Sequence, residues 1–543
     1  MKWIPAVALL CLTVAGCGGA SSDGLPPPPP PPPVPISKTE AFRFLNQATF
    51  GATESAAQRV IDMGFEAWVD DQLQQPASLQ LPYLRSLPRP QFLFELQPDR
   101  IDIWFRNALS GNDQLRQRVA FALSEIMVVS QLGVLGDLTY SLADYYDVLA
   151  RNAFGNYRDL LQEVTLHPAM GIYLSMLGNE KPDPTLNIRP DENYARELMQ
   201  LFSIGLVQLN SDGSAILDNQ GNPLPTYDQA VIEGFAHVYT GWNFAGAPSF
   251  HQAFPNDFNQ AAPMQLYPDF HDVGQKKLLN GETTTVGQTG DEDLAGALDN
   301  IFNHPNVGPF IAYRLIQRLV TSNPSRGYVQ RAATVFDDNG RGVRGDLGAT
   351  VKAILLDAEA RPEIPMDTDG KLKEPIVRLT QVWRAYNATS ASGRYPFVIA
   401  SLFFGQGPLQ SPSVFNFFSP FYAPSGEIRN RGLVAPELGI ATEYQNTLVS
   451  NYFLYQAYAL TSEVPNLQPD DVFIDISEEV AIAADTDALI DMVAEKLLAG
   501  NISQVLRAEA AGMINRFPVT DLAVRAGEAI YFISTSPEFA YQR

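Results

Sequence analysis

Apolar residues recur along most of the chain at the spacing of amphipathic helices. In the range 112–131 they follow one another at steps of four, three, four and three, and they are Leu115, Val119, Ala122, Ile126 and Val129. This spacing places them on one face of a helix, with Arg116, Arg118 and Glu125 on the other side. The strict alternation that marks a half-buried strand is scarce. The pattern therefore predicts a chain that is mainly α.

A second clear helix is predicted over 306–320, and its polar side is expected to lie in water. That side carries Arg314, Gln317 and Arg318. Comparable patterns predict further helices over 37–48, 53–63, 138–152, 227–242, 371–388, 485–498, 503–516 and 521–534.

Two stretches interrupt the helical pattern. The range 209–226 contains Asp212-Gly213 and Gln220-Gly221-Asn222 between short apolar pieces, which predicts a small β-hairpin. The range 245–290 is rich in Pro, Gly, Asn, Asp and Thr, and irregular loops of this length usually serve a function or are disordered. The predicted fold is a multi-helix orthogonal bundle with one small β-hairpin and a long irregular loop.

Length and composition set limits on the class of protein. With 543 residues the chain exceeds one ordinary core, and 45% hydrophobic residues are enough to bury a large interior. We expect a helical body over 38–463, with C-terminal helices over 464–543 packed on it. The chain carries 60 acidic and 37 basic residues, for a net charge of −23. Such a surface repels phosphate backbones, so nucleic-acid binding is not expected.

Residues 1–17 have the features of an export signal. Lys2 provides a basic start, an apolar run covers 4–15, and small residues lead to Cys17. The segment resembles the lipobox of bacterial lipoproteins, in which the cysteine is acylated and anchors the protein to the membrane. Gly18 stands where an aspartate commonly retains such proteins at the inner membrane. The resemblance thus implies an outer-membrane lipoprotein that faces the periplasm or the cell surface.

The range 18–37 is predicted to be a spacer. It contains an unbroken proline run from Pro26 to Pro33, and such runs adopt an extended, semi-rigid polyproline II form. Cys11 and Cys17 are the only cysteines of the chain. The first is lost with the leader and the second carries the lipid, so the mature fold has no disulfide, thiolate nucleophile or cysteine-ligated metal.

The densest group of polar residues lies over 187–205, where Pro190 and Asp191 start a predicted helix. Glu192, Asn193, Arg196 and Glu197 fill its polar side, and Glu192 and Arg196 are one turn apart. Two interpretations are open. The residues form an exposed face with an ion pair worth about 0.2–0.5 kcal/mol, or they form a candidate catalytic site in which Arg196 holds a ligand and a glutamate moves a proton.

Two histidines join this candidate site as further predictions. His271 lies in the long loop beside Asp272, and a histidine next to a carboxylate can act as a base or bind a metal. His167 follows a predicted helix and is either a helix-end residue or part of the same site. A metal site at His271 and Asp272 lacks a second histidine at ligand spacing. Whether the protein binds a metal or another cofactor therefore remains an open question at this point.

Sequence motifs of familiar enzymes are missing. The chain contains no G-x-S-x-G elbow, no P-loop and no dinucleotide fingerprint followed by an acidic residue. The glycine-rich stretch at 340–345 precedes a predicted helix but has no predicted strand before it. An aromatic segment over 411–422 carries Phe415, Phe417, Phe418, Phe421 and Tyr422. These rings either line a ligand groove or belong to the core.

The chain resembles the bacterial family known as domain of unknown function 1800. The resemblance rests on Phe44–Gly51 (FLNQATFG), His167–Tyr173 (HPAMGIY), Asp191–Gly205 (DENYARELMQLFSIG), Thr240–Trp242 (TGW), His271–Lys276, His304–Val320, Lys373–Arg378 (KEPIVR), Ser411–Pro420 (SPSVFNFFSP), Gly432–Glu437 and Ser536–Phe539. It covers nearly all of the chain after the spacer.

The resemblance implies an exported, mostly helical protein whose activity is unassigned. It also implies a possible partner, because members are often encoded beside a secreted protein similar to sulfatases and alkaline phosphatases. Two functions are therefore consistent with the sequence. One is a lipoprotein that binds or assembles with a secreted partner or a glycan. The other is an envelope hydrolase that uses Glu, Arg and His chemistry in a helical pocket.

Overall fold

A computed structural model describes residues 35–458 and 468–542, and this part of the chain is mostly helical. In the first half the helices are α1 Lys38–Ala48, α2 Glu54–Met63, α3 Phe65–Gln74, α4 Leu81–Ser86, α5 Gln97–Ser110, α6 Gln114–Ser124, α7 Thr139–Asn152, α8 Tyr157–Leu166, α9 Pro168–Tyr173, α10 Asn193–Glu197, α11 Gln229–Val238 and α12 Gly290–Phe302. In the second half they are α13 Val307–Leu319, α14 Arg326–Asp337, α15 Leu347–Leu356, α16 Pro375–Ala385, α17 Ala400–Phe404, α18 Glu427–Asn430, α19 Glu443–Tyr458, α20 Ser477–Ile482, α21 Thr486–Leu498, α22 Gln504–Ile514, α23 Leu522–Ser534 and α24 Pro537–Ala540.

The strands of the described chain form two small antiparallel sheets. Strand β1 (Trp242–Asn243) pairs with β2 (Gln265–Leu266), and β3 (Lys371–Leu372) pairs with β4 (Tyr541–Gln542). The fold class is therefore mainly α, as predicted.

The predicted hairpin at 209–226 is a ladder of isolated bridges. Leu209 pairs with Ala215, and Leu217 pairs with Pro223. Gly213 and Gly221 close the two turns with φ of 78° and 84°, a conformation that glycine adopts without steric cost.

Helix starts follow from local sequence. Ser37 caps α1 by accepting the backbone N–H of Glu40, and the Glu40 carboxylate reaches back to the Ser37 N–H. Thr289 and Glu292 form the same reciprocal pair at the start of α12. Each pair satisfies backbone donors that a helix end leaves without a partner.

A large hydrophobic core runs through most of the helices of the described chain, and α6 and α13 lie inside it; a second, smaller cluster lies around α4. Every residue of α6 is buried. The prediction that the polar side of α13 lies in water is wrong, because Arg314, Gln317 and Arg318 are only 8%, 4% and 4% exposed. Partners from distant segments of the chain satisfy these side chains, and a helical period does not reveal such partners.

The described residues from 36 to 542 form one compact unit. The C-terminal helices pack on the rest of the body, with α23 against α19 and α21 against α16. The predicted boundary at 463 and 464 falls outside the described residues, as do the leader, Cys17 and almost all of the spacer. No helix in the described ranges has the length and apolar character needed to cross a lipid bilayer.

Candidate functional site

The predicted polar helix is short and continues as a π-helical turn. It begins at Asn193, whose backbone N–H donates to Asp191 at 2.8 Å. After Glu197 the backbone widens over Leu198–Ser203. π-Helical turns are rare and often mark functional sites, because the extra residue changes the direction of the side chains.

Glu192 and Arg196 form the ion pair that their spacing predicts. Arg196 Nη2 lies 2.8 Å from Glu192 Oε2, and Gln229 of α11 donates to the same carboxylate at 2.9 Å and 3.0 Å. Both charged side chains are partly exposed, at 32% and 39%, and Asn193 is exposed. Water therefore screens this pair and weakens it.

Glu197 points the other way, into the protein. It is buried, and its Oε2 atom has no hydrogen-bond partner. Burial raises the pKa of Glu197, and nearby Arg196 only partly offsets this effect. Tyr227 lies close enough to interact with the charge of Glu197. The Tyr227 hydroxyl is likewise buried without a hydrogen-bond partner, and burial raises the pKa of Tyr227 to about 12. Glu197 and Tyr227 thus form a small polar site beneath the helix.

His271 lies in a separate buried group. Its Nε2 atom is 3.0 Å from Asp293 Oδ2, and Lys276 Nζ is 2.6 Å from the same oxygen. The other ring nitrogen is 3.0 Å from the carbonyl oxygen of Thr240. These contacts fix the start of α12 to the long loop.

The neighbouring Asp272 faces different partners. It pairs with His237 of α11, and this hydrogen bond lowers the pKa of Asp272 to about 2 despite burial. In the described ranges no group of three or more His, Cys, Asp or Glu side chains could hold a metal ion. The hypothesis of a metal at His271 and Asp272 gains no third ligand from this structure.

His167 stands apart from both groups. It caps α9 by accepting the backbone N–H of Ala169 at 3.1 Å, and its other nitrogen is 3.3 Å from Asp144. In the described part of the chain, no hydrogen bond or ion pair joins His167 or His271 to the residues of α10. The six predicted residues are therefore distributed over separate local groups.

A larger polar group, absent from the sequence predictions, occupies the centre of the fold. We call it the central charge cluster; its members are Arg118, Glu125, Arg318, Lys371, Glu374, Gln406, Asn416 and Glu437. All of these residues are at most 9% exposed. Buried charges are costly unless they are paired, so such a cluster has a structural or a chemical role.

Two carboxyl groups form the middle of the cluster. The Gln406 amide nitrogen lies 3.1 Å from Glu125 Oε1 and 2.7 Å from Glu374 Oε2. The Gln406 amide therefore bridges the two carboxyl groups. Burial raises the pKa of Glu125 to about 8, which favours its protonated form near neutral pH. Burial also disfavours ionisation of Glu374, but the surrounding cations outweigh it and lower that pKa.

Three cations surround this carboxyl pair. Lys371 Nζ is 3.4 Å from Glu374 Oε1 and 3.0 Å from Glu437 Oε1. Arg318 Nη1 is 3.6 Å from Glu125 Oε2. Arg118 Nη2 donates to the carbonyl oxygen of Arg318 at 2.7 Å, while its Nε and Nη1 atoms are buried without a hydrogen-bond partner.

Two signals in the sequence point to the cluster. Arg118 and Glu125 lie two helical turns apart, on the polar side of a helix whose opposite face is apolar. Four segments that carry the family resemblance also meet here, because Arg318, Glu374, Asn416 and Glu437 belong to them. No spacing rule connects such distant segments.

The fold and the cluster together define a mainly helical protein with a charged centre, and this class implies no particular chemistry. The chain belongs to the family described as Protein of unknown function (DUF1800), which matches residues 43–541 and confirms the resemblance. No curated protein matches the chain, and no solved structure matches it.

Proposed function

We propose that this protein is a binding or assembly lipoprotein of the cell envelope, attached to the outer membrane by a lipid on Cys17. The observation that carries the proposal is an apolar face on α19 that lies in water. Tyr444, Leu454 and Tyr455 of this helix are 65%, 39% and 41% exposed. Helices of a globular protein normally turn such residues inward.

Two of the exposed residues, Tyr444 and Tyr455, lie within about 20° of each other when residues advance by 100° each, and Leu454 lies about 80° to one side of Tyr444. The face continues onto α17, since Gln445 donates to the carbonyl oxygen of Leu402 at 3.1 Å. Leu402 is itself 54% exposed. We call these residues of α17 and α19 the apolar face.

Large exposed apolar patches on soluble proteins usually mark interaction sites. An apolar face suits a protein partner better than a glycan, whose hydroxyl groups need polar contacts. The family resemblance suggests a secreted, sulfatase-like protein as the candidate partner.

The distribution of the predicted catalytic residues also supports binding. Arg196 is held by Glu192, His271 by Asp293, and His167 lies next to Asp144. A catalytic site needs its groups to meet at one reacting atom. Their separation argues against a single catalytic site at the predicted helix.

Binding of the purified lipoprotein to the sulfatase-like protein of the same bacterium tests the proposal. The double variant Leu402→Lys, Tyr444→Lys places charge on the apolar face, and we expect at least tenfold weaker binding. Val505→Lys is the matched control, because Val505 is 74% exposed on α22, outside this face. Equal affinity of all three proteins, or no complex at micromolar concentration, would contradict the proposal.

Glu197 supports the hydrolase as a second candidate. A buried carboxyl group with a raised pKa and a free oxygen atom is suited to donate a proton near neutral pH. Glu197→Gln keeps the shape and removes the acid. A hydrolytic activity found by substrate screening should fall by at least 100-fold in this variant, and unchanged turnover would exclude Glu197 from the reaction.

A further inference from the structure

The segment 405–442 covers the central charge cluster. It joins α17 to α19, and apart from α18 and one short turn at Pro436–Gly439 it is irregular. Gln406, Asn416 and Glu437 reach from this segment into the cluster. Asn416 Nδ2 lies 3.3 Å from Glu125 Oε1, and Glu437 pairs with Lys371.

Polar and cation–π contacts hold much of the covering segment in place. The Phe418 ring lies 4.7 Å from the Arg318 guanidinium, and the Phe421 ring lies 4.5 Å from that of Arg314. Gln317 donates to the carbonyl oxygen of Pro420 at 3.1 Å. Phe421 is 65% exposed. A segment attached in this way can detach at a lower free-energy cost than one packed into the core.

The backbone of the segment is strained at two positions. Leu409 and Asn416 have φ of 54° and 66°, in the left-handed region that side chains disfavour. Asparagine tolerates this conformation better than leucine does. Such strain favours a second arrangement of the segment, because leaving the closed position releases it.

Three cations, Arg118, Arg318 and Lys371, lie among three glutamates beneath the segment, and burial favours the neutral form of Glu125. Protonation of Glu125 leaves one positive charge in excess. Arg118 is 2% exposed, and two of its three guanidinium nitrogens have no hydrogen-bond partner. Buried donors without acceptors are rare, and an anionic ligand group would satisfy them.

We propose that the central charge cluster binds one oxyanion group, a carboxylate, a sulfate or a phosphate ester, and that segment 405–442 is the lid that opens to admit it. Arg118 and Arg318 hold the anion, and the Gln406 and Asn416 amides arrive with the lid. This site is independent of the apolar face, so each can fail its test without the other.

The test measures saturable stabilisation of the full-length lipoprotein by inorganic sulfate, inorganic phosphate and acetate. Ionic strength is held constant with sodium chloride. We expect one of the three anions to raise the unfolding midpoint with a saturable dependence on concentration. The same anion should slow amide hydrogen exchange over 405–442. The identity of that anion tells which oxyanion class the site accepts.

Two variants test whether the anion binds at the central charge cluster. Arg118→Gln should weaken the effective anion at least tenfold. Lys496→Gln should leave its affinity unchanged, because Lys496 is a cation paired with Glu478 and Glu479 outside the cluster.

A disulfide that holds the lid closed tests the proposal even if Arg118→Gln does not fold. Asn323 exchanges two hydrogen bonds with Val434 of the lid, both at 2.9 Å. The double variant Asn323→Cys, Val434→Cys places two thiols at this contact and is designed to link the lid to the body by a disulfide when oxidised. We expect no anion binding when it is oxidised and normal binding after reduction. Stabilisation that follows ionic strength alone, or anion binding to the oxidised form at normal affinity, would overturn the proposal.

Discussion

The amide nitrogen of Gln406 bridges Glu125, which follows α6, and Glu374, which precedes α16, at 3.1 Å and 2.7 Å. Neither glutamate is more than 4% exposed. Burial and the nearby charge of Glu374 raise the pKa of Glu125, which favours its neutral form. The two glutamates therefore differ in charge although they have the same chemistry, and substitution should reveal the difference.

Replacing the ionised member should cost much more than replacing the neutral one. Glu374→Gln leaves Arg118 and Lys371 facing an uncharged group, so we expect a loss of about 3–5 kcal/mol in the free energy of unfolding. Glu125→Gln replaces a protonated carboxyl by a neutral amide of similar shape, so the loss should be about 1 kcal/mol. Urea unfolding at pH 6.5 measures both, and equal losses would show that the proton is not on Glu125.

The proton on Glu125 predicts a pH dependence with a definite sign. Its pKa in the folded protein, about 8, lies above the ordinary value of 4.5. Between these two values the folded state holds a proton that the unfolded state has lost. This contribution to stability is complete below about pH 4.5 and is lost as the pH rises towards 8.

The variant Glu125→Gln should lack this dependence. The difference in unfolding free energy between wild type and variant should shrink by up to about 1.4 kcal/mol per pH unit across this window. Urea unfolding at pH 5.5, 6.5 and 7.5 measures the difference, and parallel curves would contradict the assignment. Comparison with the variant matters because burial also raises the pKa of Asp147, to about 7.

Gly234 of α11 should be intolerant of a side chain. A Cβ atom there would overlap the carbonyl oxygen of Lys277, where the long loop crosses the helix. The Cβ is fixed to the helix backbone and the oxygen belongs to the loop backbone, so no side-chain rotation can relieve the overlap. Gly234→Ala should therefore cost about 3 kcal/mol or more in the free energy of unfolding. Thermal unfolding measures this loss.

Gly296 of α12 provides the matched control. A Cβ atom there meets nothing within 4 Å, and the residue is exposed. Gly296→Ala should stabilise the protein by about 0.5–1 kcal/mol, because alanine loses less backbone entropy in a helix. If both variants were equally stable, the loop would not be held against α11 in solution.

Asn416 allows backbone strain in the lid to be measured. Both Asn416→Ala and Asn416→Gly remove the amide that bonds to Glu125, but only glycine adopts the left-handed conformation freely. We expect Asn416→Ala to be less stable than Asn416→Gly by about 1 kcal/mol. Protease cleavage within 405–442 should be faster in Asn416→Ala as well, and equal cleavage would argue against strain at this position.

Glu197 and Glu192 should respond oppositely to the same substitution. Glu197→Gln removes a buried carboxyl whose Oε2 atom has no hydrogen-bond partner, so stability at pH 7.5 should rise, by up to about 1 kcal/mol. Glu192→Gln breaks a partly exposed pair and should cost about 0.3–0.5 kcal/mol. Chemical denaturation compares the two, and a marked loss in Glu197→Gln would mean that the carboxylate has a partner in solution.

The helical period predicted much of the fold, since α6 and α13 lie within the predicted ranges 112–131 and 306–320. Spacing also predicted the Glu192–Arg196 pair, because residues four apart are neighbours on any helix. These features depend only on residues close together in the sequence.

The surroundings of Arg314 and Arg318 could not be predicted in this way. A helical period shows that a face is polar, but not whether it meets water or other polar groups. The carbonyl of Pro420 and the ring of Phe418 lie about 100 positions further along the chain than their partners on α13. Tertiary contacts of this kind decide which predicted residues meet, and they placed His271 beside Asp293 instead of Glu197.

The central charge cluster also has a consequence for how the chain folds. Its members come from segments scattered between Arg118 and Glu437, and each charge is well hydrated until all of them meet. A partly assembled centre loses that hydration without gaining its ion pairs. Folding should therefore be slow and strongly cooperative, with the centre closing in one late step.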